Sequence, residues 1–69
     1  MTVDATVELA PSVAFIRPNT DALQWLDDNP QDSAYWIGNV LVVDHTLVEA
    51  IVAGMRAEGL TVEVLRGRQ

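Results

Sequence analysis

From Ala34 to Val43 the chain is apolar on both of its alternating faces. Trp36 alternates with Tyr35 and Ile37, and Val40 and Val42 alternate with Leu41 and Val43. The run Val13-Ala14-Phe15-Ile16, bounded by Pro11-Ser12 and Pro18, has the same property. Strands of this kind are buried on both sides, whereas a half-solvated sheet alternates apolar with polar residues. That requirement weighs heavily on a chain of 69 residues, which makes one small domain at most. There is no cysteine, hence no disulfide framework and no thiolate metal site. The core itself, self-association or a partner must therefore hold the fold. An apolar fraction of 49% is ordinary for a globular chain and too high for disorder.

Residues 13–16 read as a strand, and Thr6 to Leu9 as a preceding one, with Ala10-Pro11-Ser12 as the turn. Asn19 or Thr20 caps a helix whose apolar face is Ala22, Leu23, Trp25 and Leu26, and Asn29-Pro30 ends it. Gly38-Asn39 between apolar runs is a two-residue hairpin turn, so Ala34–Ile37 and Val40–Val43 are expected to pair. The rival arrangement is one long strand with a glycine bulge. Asp44 and Thr46 both offer a cap to a second helix, and Thr46-Leu47-Val48-Glu49 fits a capping box. That helix runs to Glu58 and stops at Gly59. Leu60 to Leu65 closes the chain as a strand.

The expected fold class is α+β, a small antiparallel sheet with two helices on one face. The order β-α-β-β-α-β is that of the split βαβ, or ferredoxin-like, arrangement. A single domain spans residues 1–69, with residues 1–11 as an extra strand or arm and residues 66–69 as a solvated tail. Two short helices cover one sheet face only. The other face, for which Ile16, Trp36, Val40 and Val42 are the candidate residues, is expected to meet a partner or a second copy. The alternative is that Met1 to Leu9 fold across it. Burying each such side chain is worth about 1.5–3 kcal/mol, more than the roughly 0–1 kcal/mol of a surface charge pair.

Charge supplies the second constraint. The chain has no lysine, carries a formal net charge of −6, and has no cationic residue between Arg17 and Arg56. Acidity of this kind argues against direct binding to nucleic acid or to anionic membranes. It favours a protein partner with a basic surface. Asp21, Asp27, Asp28 and Asp32 form the candidate acidic edge. Asp27 and Asp28 fall in the last turn of the first helix, where acids oppose the macrodipole by about 0.3–1 kcal/mol each. Asp44 and Glu49 are explained by capping. The N-terminal Met1-Thr2-Val3-Asp4 lacks the basic start of a signal peptide, and no apolar stretch approaches the roughly 20 residues that span a bilayer. A cytoplasmic location is expected.

No chemistry-bearing motif accompanies these features. His45 is the single histidine; with Glu49 four residues on it could form a weak metal or acid/base pair, but no further ligand follows at motif spacing. Asp27-Asp28 lacks the alternation and glycine of a calcium loop. Ser12 and Ser33 lack the setting of a nucleophile, and none of the glycines belongs to a phosphate loop. Trp25, Tyr35 and Trp36 at such positions are more often core residues than stacking platforms. No catalytic, metal or cofactor-binding residue is therefore expected. In size, acidity and lack of catalytic motifs the chain resembles small phage-encoded inhibitors, anti-CRISPR proteins among them. The resemblance implies a non-enzymatic protein that docks on a basic nucleic-acid-binding surface. The other expectation is a structural or regulatory homo-oligomer acting through its apolar sheet face.

Overall fold

The structure is a computed structural model that describes residues 3–30 and 34–65. Among the described residues, five strands and two helices follow in the order β1 (Ala5–Leu9), β2 (Val13–Pro18), α1 (Thr20–Asp28), β3 (Tyr35–Ile37), β4 (Val40–Asp44), α2 (Val48–Ala57) and β5 (Val62–Leu65). A single 3-10 turn, His45–Leu47, leads into α2. The fold class is α+β, with one mixed sheet in the order β3-β4-β2-β1-β5.

This order departs from the expected ferredoxin-like one. β1 is a full strand that forms a hairpin with β2, closed by the Ala10 N–H donating to the Val13 carbonyl at 2.9 Å. It thereby occupies the place beside β2 that the last strand would take in a split βαβ unit. A two-residue turn has far less loop to close than the return from β5, so the local pairing is favoured. β5 is displaced one position outward and runs parallel to β1, which makes the sheet mixed. β1 also lies in the plane of the sheet, so its residues do not fold across the second face.

Register decides which side chains meet the helices. Ala5 and Val7 of β1, Ala14 and Ile16 of β2, Leu41 and Val43 of β4, and Val62 of β5 form one buried cluster with Ala22 and Leu26 of α1 and Val48, Ile51, Val52 and Met55 of α2. Both helices thus cover the same sheet face. Trp25 of α1 lies so close to Gly54 of α2 that a Cβ there would come within 2.7 Å of the indole. The helices meet at this contact.

Helix ends follow local chemistry. Asn19 caps α1, its side-chain oxygen accepting from the Ala22 N–H at 3.0 Å. The expected capping box at Thr46 does not form. Both the N–H and the hydroxyl of Thr46 donate to Asp44 Oδ1, at 2.9 and 2.8 Å, so the hydroxyl is turned away from the helix and Asp44 caps the 3-10 turn instead. α2 ends as expected at Gly59, with φ +89°. The Gly59 N–H reaches the Arg56 carbonyl and the Leu60 N–H the Met55 carbonyl, both at 3.0 Å, which is a Schellman motif.

Asp4 joins three elements. Its carboxylate accepts from the Thr61 N–H at 2.7 Å and from Asn19 Nδ2 at 2.9 Å. Its own N–H donates to the Thr61 carbonyl at 2.8 Å, and its carbonyl accepts from the Asn19 N–H at 2.7 Å. The start of β1 is therefore tied both to β5 and to the cap of α1. The Thr61 N–H first, and the Asn19 side chain second, hold the Asp4 carboxyl below its ordinary value.

Candidate functional site

The helix-free face of the sheet divides into two halves. On β1 and β5 it carries Thr6, Glu8, Glu63 and the terminal Leu65, with Arg17 of β2 paired to Glu8 at 3.1 Å. That half is polar. On β2, β4 and β3 it carries Val13, Phe15, Val40, Val42, Tyr35 and Ile37, and is apolar until Asp44 at its far end. Val42 is 2% exposed but lies outside the helix-side cluster. Its direct neighbours, Phe15 on β2 and Tyr35 on β3, cover it.

Two of the four residues expected on this face lie on the other one. Ile16 is fully buried against the helices, and Trp36 stands opposite Leu41, an inward residue. The reason is parity. Arg17 shares its side of β2 with Phe15 and Val13, so keeping the guanidinium in water sends Ile16 inside. The two-residue turn then fixes Trp36 opposite Leu41, on the side away from Val40 and Val42. That signal was present in the sequence, in the placement of Arg17 and Asp44. Val40 and Val42 do lie on the helix-free face.

Among the described residues five large apolar side chains are exposed, and four of them gather around β3. Tyr35 is 55% and Ile37 60% exposed on the helix-free side, while Trp36 and Leu23, each 40% exposed, line one hollow on the helix side. That hollow, of about 500 Å³, is closed by Pro18, Asn19 and the Gly38-Asn39 turn. The fifth, Leu65, is at the opposite edge. Gly38 takes φ +59°, as a tight hairpin turn requires. The Gly-Asn turn thus holds an apolar strand at the sheet edge, away from the core.

The acidic residues are not one edge. Asp21 and Asp28, seven apart on α1, line a groove with Gln24, Trp25, Leu60 and Glu58. Glu58 reaches that groove only through the packing of α2 on α1, which no local pattern in the sequence reveals. Asp27 faces another way, into a small hollow with Trp36, Pro30 and Ala34. Asp32 lies outside the described residues. Asp27 and Asp28 occupy the last turn of α1, which contains no basic residue. His45, Glu49 and Arg56 rim a hollow of about 490 Å³ beside α2, floored by Leu9, Val52 and Val64. Among the described residues no three His, Asp or Glu side chains converge as metal ligands. No helix among them is long and apolar enough to cross a membrane.

No protein-family model matches this chain, and no curated protein and no solved structure shows significant similarity to it.

Proposed function

We propose that this chain is a non-enzymatic protein-binding module that docks through the β3 end of its sheet onto a partner whose surface is apolar at the centre and basic around it. One observation carries the reading: Tyr35, Trp36, Ile37 and Leu23, four of the five exposed large apolar side chains among the described residues, surround one edge strand. Clustered apolar surface rimmed by charge is the usual mark of an interaction site. Asp27 borders Trp36, α1 also carries Asp21 and Asp28, and α1, β3 and β4 contain no cation, while Arg17 of neighbouring β2 is paired to Glu8. A nucleic-acid-binding protein occupied by an acidic inhibitor is one such partner, since its phosphate-binding surface has the complementary charge.

The test is affinity capture from the native host with the wild-type chain and Ile37→Ser, each at low and high salt. The expected result is a protein retained by the wild type at low salt and lost on either change. Retention that is indifferent to both contradicts the proposal. A homo-oligomeric module using the same face is the second reading, favoured by the apolar continuity of Phe15, Val42, Tyr35 and Ile37. Light scattering that shows a monomer at micromolar concentration excludes it.

A further inference from the structure

The two edges of the sheet differ in how their free backbone groups are treated. β5 is guarded: the Arg56 guanidinium donates to the Val62 carbonyl at 3.0 Å, and Glu63 adds a charge to the strand. Such devices protect an edge from further pairing. β3 contains no charged residue, and all three of its side chains are exposed. Ile37 and Val40 flank the two-residue turn and exchange the first pair of ladder bonds. Alternation then places Trp36 and Leu41 in the non-bonded register, with the N–H and C=O of Trp36 directed at the open edge.

From this geometry we infer that the partner binds by strand addition: an extended segment pairs with β3 through the main chain of Trp36, presenting a Lys or Arg opposite Trp36 and apolar residues on either side of it. The inference rests on the docking reading above and specifies its mode. Period-two alternation gives the chemistry of the segment. Residues of the added strand beside Tyr35 and Ile37 lie on the helix-free side and continue the apolar patch. The residue opposite Trp36 lies on the helix side, where the indole and the Asp27 carboxylate share a hollow. A cation there meets both an aromatic face and an opposite charge.

Charge disfavours a second copy as the occupant, since each copy carries −6. A basic segment gains from the same charge that repels a second copy.

The probe is the peptide acetyl-Arg-Val-Arg-Val-Arg-amide, titrated into the 69-residue chain labelled with nitrogen-15, with amide exchange followed residue by residue. Saturable binding that slows exchange of the Trp36 amide at least tenfold, and that is lost when the central arginine is N-methylated or the arginines are replaced by glutamate, is the expected result. Asp27→Asn is expected to weaken it several-fold. Shifts at Tyr35, Ile37 and Asp27 with the Trp36 amide still exchanging freely overturn strand addition and leave the docking reading standing. Binding elsewhere, or none at millimolar peptide, overturns both.

Discussion

Replacing Gly54 with alanine places two effects of known size in opposition. Alanine within α2 is favoured over glycine by about 0.5–1 kcal/mol, because the unfolded chain loses less freedom. The added Cβ, however, would sit 2.7 Å from Cζ2 and 2.9 Å from Cη2 of Trp25. Carbon atoms in contact rest at about 3.5–4.0 Å, so the indole must retreat by about 1 Å or the helices must separate. Overpacking of this kind costs about 1–3 kcal/mol, and the indole is a rigid ring held in the α1–α2 contact. Gly54→Ala is therefore expected to destabilise the chain by about 1–2 kcal/mol net. In a Trp25→Phe background the benzo ring that causes the clash is gone. There the same substitution is expected to stabilise by about 0.5–1 kcal/mol, giving a coupling energy of about 1.5–3 kcal/mol across the pair. Urea denaturation of the four proteins followed by far-ultraviolet circular dichroism measures all three quantities. If Gly54→Ala stabilises the wild-type background, or the coupling is near zero, the packing argument fails.

Asn19→Ala removes the cap of α1 and one bond to Asp4, and should lower stability by about 1–2 kcal/mol in the same urea assay. The Asp4 carboxyl is held below its unfolded value of about 3.9, so its contribution is complete above that pH and fades as pH falls through the lower folded value. Acid titration followed by circular dichroism should accordingly show a shallower loss of stability below about pH 4 in Asp4→Asn than in the wild type. Val42→Asp, which puts a charge beneath Phe15 and Tyr35, should unfold the chain, with a cost above about 3 kcal/mol, whereas Ile37→Ser should change stability by less than about 0.5 kcal/mol. Gly59→Ala, forced to φ +89°, should cost about 1–2 kcal/mol in thermal melts.

Much of this architecture is legible in local chemistry. The Gly38-Asn39 hairpin, the Asn19 cap and the Gly59 stop each depend on a few neighbouring residues, and each is where those residues place it. The strand order is not legible in the same way. The hairpin of β1 with β2 competes with the pairing of β5 against β2, and nothing in residues 5–9 announces which neighbour wins. Asp4 shows the same difficulty. Its partners Asn19 and Thr61 are distant in sequence, so the residue reads as an ordinary surface acid until the chain ends are brought together. Thr46 reads as the cap residue of α2, yet its hydroxyl donates to a stronger acceptor two residues back. For the candidate site, the existence of an uncovered apolar face follows from the doubly apolar strands. Its composition does not follow until Arg17 and Asp44 are used to set parity. Asp27 and Asp28, adjacent in sequence, turn to different hollows because successive residues on a helix point about 100° apart.

The proposed docking of the β3 end of the sheet on a basic partner combines apolar contact with guidance of the approach by the α1 carboxylates. Association and dissociation rates of the captured partner, measured across a salt series for three proteins, test it most directly. The proteins are the wild type, Ile37→Ser, and the double variant Asp27→Asn with Asp28→Asn. The double variant is expected to associate more slowly and to respond less to salt, while Ile37→Ser mainly dissociates faster. Association that is independent of salt and unchanged in both variants would contradict it.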